Sequence, residues 1–255
     1  MDKRQEIIEL CKELRLPSIR RMVNDESNFK KPDEAFEVLL QVLHQEHSDR
    51  LIRSKQNRIR TANFPQKKLL EELVESSLPD QARQKLPYLK TLKFIEEGQN
   101  VIFTGSPGTG KSHISIALGI EACLAGYKVF FATVPSLINQ LKEYKSERTL
   151  RSFELKFERY DLVIIDELGY ISFDKEGAEL LFTHLSLRAG RKSTIITSNL
   201  PFLKWQEIFH DPVLTAALTD RLTHKSHVIN MNGPSFRMKE TKAWMNLNKF
   251  EVAQN

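Results

Sequence analysis

The chain has only two cysteines among 255 residues, Cys11 and Cys123, and no C-x-x-C pair. That scarcity excludes a disulfide framework and a zinc ribbon, and both thiols are expected in the apolar core. Long apolar runs are missing too. No stretch approaches the roughly 20 residues that a bilayer-spanning helix needs. The opening Met1-Asp2-Lys3-Arg4-Gln5-Glu6 is charged and lacks the apolar segment of a signal peptide. A cytoplasmic protein with no membrane partner is the expectation. Internal repeats and low-complexity tracts are absent, which argues against a solenoid. His44/His47 and His224/His227 are i, i+3 pairs without a cysteine or acidic cluster to complete a metal site, so surface positions are expected for them. Charge is not extreme. Thirty-eight basic and 33 acidic residues leave +5, a weak lean toward an acidic partner in which distribution matters more than the sum.

What the chain does have is one organising stretch, Gly105-Ser106-Pro107-Gly108-Thr109-Gly110-Lys111-Ser112, which fits G-x-x-x-x-G-K-[ST] at every required position. An apolar, β-rich run, Val101-Ile102-Phe103-Thr104, precedes it, and His113 to Ala125 comes after it with helical spacing of Ile114, Leu118, Ala122 and Ala125. Strand, glycine loop and helix together make an anion cradle. Glycines let successive N–H groups turn inward, and the new helix adds its positive end. Lys111 brings charge to the β- and γ-phosphates of a nucleoside triphosphate, and Ser112 a hydroxyl to Mg²⁺.

Beyond the loop, strands are expected at 128–132, 161–165, 193–197 and 227–231, with helices at 135–145, 176–188 and 212–222. Strand alternating with helix reads as an α/β protein with a five-stranded parallel sheet covered on both faces. Leu162-Val163-Ile164-Ile165-Asp166-Glu167 sets two carboxylates at the end of a buried strand, where open α/β sheets bind ligands. Asp166 suits the metal with Ser112, and Glu167 suits the water that attacks the γ-phosphate. Asn199, after the next strand, could orient that water or serve turn chemistry, and the pattern does not choose. Arg221 could supply charge to a neighbour's nucleotide or pair with Asp220. Trp205 is expected in the core.

The first 75 residues carry almost no strand signal. Ile7, Leu10, Cys11 and Leu14 mark one helix, and Phe36, Leu39, Leu40 and Leu43 a second that starts at Lys31-Pro32-Asp33 and runs to about Ala62. From Arg50 to Lys68 lie seven basic residues and no acidic one. Arg50, Arg53 and Arg60 fall within an arc of roughly 80°, with Ile52 and Ile59 on a separate face that can pack. Together with Lys55 and Arg58 they are candidates for contact with duplex DNA along its backbone, independent of base sequence. Phe64-Pro65 breaks that pattern, Leu69 to Val74 reads as a short helical piece, and Pro79 and Pro87 punctuate a connector before a helix at 88–95. A boundary near residue 75 separates a small all-α N-terminal domain (1–75), for DNA or partner binding, from the ATPase domain (76–255).

GSPGTGKS, LVIIDELGY, TIITSNLPFLKW and LTDRLTH, with FPQKK at 64–68 and NGPSFRMK at 232–239, resemble the IstB-type transposition helper ATPases of bacterial insertion sequences. These are AAA+ relatives of the DnaC/DnaI helicase loaders. The resemblance implies the Walker roles for Lys111, Ser112, Asp166 and Glu167, the first sensor for Asn199 and a trans-acting finger for Arg221. It implies an ATP-dependent homo-oligomer on duplex DNA, DNA-stimulated hydrolysis and a partner transposase. A replicative helicase loader is the alternative, and a small-molecule kinase a third. Only 24 residues lie beyond Met231, too few for the helical lid of a full AAA+ module, and Arg237 is the one candidate for a second sensor.

Overall fold

A computed structural model of the chain describes residues 2–170, 172–209 and 211–252. Its contacts divide it into two compact units, Met1–Asn57 and Arg58–Asn255.

The first unit is helical. It contains α1 (Lys3–Glu13), α2 (Pro17–Asn24) and most of α3 (Pro32–Thr61). The Asp2 side chain caps α1 by accepting from the Arg4 N–H, and Pro17 opens α2 where a missing N–H costs nothing. Ile7, Leu10, Cys11, Leu14, Val23, Phe36 and Leu43 form its core. Helical spacing marks this side of all three helices, with Leu16, Ile19 and Val23 supplying it at α2.

The second unit is a parallel α/β layer. Strands β1 (Asn100–Thr104), β2 (Val129–Thr133), β3 (Leu162–Leu168), β4 (Ser193–Ser198) and β5 (Ser226–Asn230) form one sheet in the order β2-β3-β4-β1-β5. All four pairings are parallel. Two-sided burial explains the unbroken apolar runs: Leu162 to Ile165 are all 0% exposed. α4 (Asp80–Lys90), α5 (Lys93–Glu96) and α6 (Lys111–Ala125) contribute to the core on one face. On the other are α7 (Val134–Ser146), α8 (Leu150–Phe157), α9 (Lys175–Arg188), α10 (Gln206–Phe209) and α11 (Pro212–Thr223). A final helix, α12 (Phe236–Val252), comes after β5. Cys123 is buried, as is Trp205, whose indole N–H donates to the Leu200 carbonyl at 3.3 Å.

Several expectations are corrected. Residues 80–90 are a helix rather than a connector. Pro87 sits inside α4, and burial of Ala82, Leu86 and Leu89 outweighs the lost hydrogen bond. Residues 69–74 form turns, not a helical piece. The compact units part at Asn57/Arg58 rather than near 75 because 58–64 belongs to the sheet's periphery. Ala62 is buried and its carbonyl accepts from the N–H of Phe131 on edge strand β2 at 2.8 Å. Phe64 lies over Gly119 of α6, where a Cβ would come within 2.8 Å of its ring. Ile52 does not pack as expected; it is exposed, while Ile59 joins the core.

Candidate nucleotide site

The β1 strand ends at Thr104, and the chain then turns through the glycine loop into α6, whose first residue is Lys111. Lys111 is 6% exposed, and its ammonium donates to the carbonyls of Gly105 and Ser106, both at 2.7 Å. Burial pushes its pKa down to about 8, with the Arg237 charge adding to the shift and Asp166 opposing it. The Thr109 hydroxyl donates to the Ser106 carbonyl at 2.9 Å. Gly108 and Gly110 have φ of +77° and +96°, so the loop's path needs the left-handed region.

Ser112 meets β3 as the motif requires. Its hydroxyl donates to Asp166 Oδ1 at 2.9 Å, and the Thr197 hydroxyl donates to the same oxygen. A hydroxyl and a carboxylate oxygen side by side, both hard donors, beside a triphosphate cradle fit a magnesium ion. Asp166 itself is buried. The β3–β4 register shifts between Ile165 and Leu168, and Glu167 takes φ +67° there. A left-handed backbone on a glutamate costs about 1–2 kcal/mol, and this kink re-aims the carboxylate. Its N–H is held by Thr197 Oγ1 at 3.0 Å. Burial raises the Glu167 pKa above the usual carboxylate range, the Asp166 charge raises it further, and Arg237 pulls it back.

Thr197 is therefore the residue that sequence reasoning missed. It ties the end of β4 to both carboxylate positions, and its only signal was its place, one residue before the end of a buried strand. Asn199 stands just past β4, with its Oδ1 buried, lacking a partner among the described residues, and turned toward Gly169. Arg221 makes none of these contacts and no ion pair with Asp220. It is exposed, with its guanidinium 5.0 Å from the centroid of the Phe182 ring on α9.

The model of the family described as IstB-like ATP binding protein matches residues 9–243. The chain belongs to that family. Among its relatives, the putative ATP-binding protein of insertion sequence IS5376 from Geobacillus stearothermophilus is 33% identical over 94% of this chain and 96% of its own length. The putative ATP-binding protein of insertion sequence IS21 from Pseudomonas aeruginosa is 38% identical over 81% of this chain and 78% of its own. Among solved structures, the DnaC helicase loader aligns with TM-score 0.53 at 21% identity, covering 68% of this chain and 98% of that one. A DNA replication initiation factor aligns with TM-score 0.56 at 21% identity, over 72% and 55%. At such identities the likeness establishes fold, and the fold is that of the AAA+ P-loop ATPases.

The basic end of α3 in this IstB-like protein is less uniform than its sequence suggested. Arg50 donates to Glu46 at 2.5 Å and to the Leu14 carbonyl at 2.7 Å, a partnership set by the turn before the acid-free stretch. Arg58 is half-buried and donates to the Cys123 carbonyl at 2.7 Å, near the C-terminal end of α6. Arg53, Lys55 and Arg60 are exposed, and Arg53 and Lys55 make no hydrogen bond or ion pair among the described residues. His44 and His47 face Glu6 and Glu13 at 2.8 and 3.1 Å. No helix among the described residues is long and apolar enough to cross a membrane.

Proposed function

We propose that this protein is the ATP-hydrolysing helper of an insertion sequence, assembling on duplex target DNA and presenting it to a partner transposase. The observation that carries the reading is the convergence of Lys111, Ser112, Asp166, Thr197 and Glu167 at the carboxyl ends of β1, β3 and β4, in a chain of the IstB-like family. The loop from Gly105 to Ser112 curls around the triphosphate, the backbone N–H groups of Gly108 to Ser112 face it, and Lys111 neutralises its β- and γ-oxygens. Ser112 and Asp166 would hold Mg²⁺, which would supply withdrawal of charge from the phosphoryl oxygens. Glu167 accepts a proton from water aimed in line at the γ-phosphorus. Its raised pKa makes it a stronger base than an ordinary exposed carboxylate. The orphan Oδ1 of Asn199 offers that water an acceptor on its other side. Arg221, exposed on α11, brings its charge to the nucleotide of a neighbouring copy, which makes hydrolysis depend on assembly.

Outside that site, Arg53 and Lys55, with Arg60, supply the sequence-independent attraction to DNA phosphates. Arg50 and Arg58, which also bond to Glu46 and to the Cys123 carbonyl, are the remaining candidates on the same stretch.

Size-exclusion light scattering with duplex DNA, in ATP and then in ADP, tests the reading. Assembly that needs both ATP and DNA is expected, with phosphate release stimulated by the DNA. Mixing Arg221→Ala with Lys111→Ala subunits should restore part of the lost turnover through hybrid interfaces. A strict monomer under every condition sinks the assembly. Binding to a hexameric helicase with no affinity for duplex would transfer the protein to helicase loading.

A further inference from the structure

We propose that the six residues after β5, Met231 to Phe236, clamp the phosphate loop in its anion-accepting shape, with Asn232 and the backbone N–H of Phe236 as the positioning groups. The proposal rests on ATP occupying that loop. It begins with topology. β5 lies beside β1 in parallel, with Thr104 opposite Asn230, so the chain leaving β5 emerges next to the chain leaving β1. The Met231 N–H donates to the Thr104 carbonyl at 2.6 Å and continues the pairing one step beyond the strands.

Residues further along this strap grip both limbs of the loop. Asn232 Oδ1 accepts from the Ser106 N–H at 3.1 Å and from its hydroxyl at 3.3 Å. The Phe236 N–H donates to the Gly108 carbonyl at 2.8 Å. Between these bonds the fit is close. A Cβ on Gly105 would lie 2.4 Å from the Met231 carbonyl carbon, and one on Gly108 would lie 2.1 Å from Ser235 Oγ. Two of the motif's glycines are thus needed for the strap's passage as well as for the phosphate.

An anion cradle works only when the N–H groups that meet the anion face in and the loop's carbonyls are held by other donors; Ser106, whose N–H goes to Asn232, is a fixed limb of the loop and not one of those anion donors. Lys111 holds the carbonyls of Gly105 and Ser106; the carbonyl of Gly108 is held by the strap. Without the Phe236 N–H that oxygen is free to rotate toward the ligand, where it repels phosphate.

Phe236→Pro is the decisive variant, because it removes the N–H while proline suits the first residue of a helix. Ser235 caps that helix through the Met238 N–H at 3.3 Å, a cap that favours the extended backbone proline demands of its predecessor. Phe236→Ala keeps the N–H and sets the baseline for loss of the ring. In the full chain, binding of fluorescent ATP and ADP should weaken about fivefold to tenfold in Phe236→Pro relative to Phe236→Ala, the worth of one hydrogen bond. Asn232→Ala should weaken both nucleotides by a like factor against wild type. Turnover at saturating ATP should stay within about twofold, since the clamp shapes the cradle and not the attack.

Affinity at baseline in both variants overturns the clamp, and so does a fall in turnover with affinity unmoved. If Phe236→Pro does not fold, Asn232→Ala decides alone. Lys111→Ala run in parallel separates the two levels of the claim. Retained binding there defeats the nucleotide site itself, whereas binding lost there but unmoved in the strap variants defeats only the clamp.

Discussion

Two stretches of this protein carry positive charge, and they are built in opposite ways. In the loop after β1 one cation, Lys111, is nearly buried, and the backbone around it is fixed by bonds from its own ammonium and from residues beyond β5. On α3, Arg53 and Lys55 extend from an exposed surface on long stems. A buried cation in a fixed frame acts at short range on a ligand in one pose. Exposed cations act through the ionic atmosphere and are indifferent to pose, so salt screens them heavily. The first arrangement suits chemistry, the second residence on a polyanion. The two should respond differently to every perturbation.

The largest response is expected inside the frame. Glu167→Gln should keep ATP binding and lower turnover by about a hundredfold or more, the usual share of a positioned base. Phosphate-release assays beside nucleotide titrations check this, and a variant that still hydrolyses ATP at the parental rate removes Glu167 from the mechanism.

Next comes pH. The folded Lys111 pKa of about 8 lies below the usual lysine range, so its proton is lost as pH rises through that value. ATP binding favours the ammonium, and affinity should fall about tenfold between pH 7 and pH 9. The free protein behaves inversely, because the cost of burying a charged lysine is relieved as pH climbs from about 8 toward the unfolded value. Calorimetric titrations that stay flat across this range would show that Lys111 keeps its charge without the nucleotide's help.

The smallest response belongs to the exposed stretch. Arg53→Ala with Lys55→Ala should weaken duplex binding on all sequences alike and lower the salt slope by roughly 1.8, about 0.9 for each phosphate contact. Fluorescence anisotropy at several salt concentrations reads that slope. An unchanged slope would place the DNA surface elsewhere, and a loss confined to one sequence would contradict backbone contact.

Much of the site was legible because its parts are local. The loop, its flanking strand and helix, and the Asp166–Glu167 doublet are contiguous in the chain, and each needs only its own residue types to declare itself. The five strands were legible for a similar reason, since two-sided burial writes unbroken apolar runs such as Leu162 to Ile165. The basic end of α3 was read less well. Composition records that Arg50 is charged, but not that Glu46 and the Leu14 carbonyl engage two of its five N–H groups. Ile52 sits at helical spacing with Ile59, yet spacing says only that two residues share a face and not that anything covers it.

Sequence alone determined the groups on offer: a phosphate loop with its serine hydroxyl, an Asp–Glu doublet and an acid-free basic stretch at 50–68. Tertiary structure decided which distant residues complete them. Thr197 reaches Asp166 across 31 positions, and Asn232 reaches Ser106 across 126. Both contacts exist because the strand order sets β4 beside β3 and β5 beside β1. Chain order fixes which residues come after each strand, while sheet order fixes which strand stands next to it, and no local pattern of residues encodes that second neighbour.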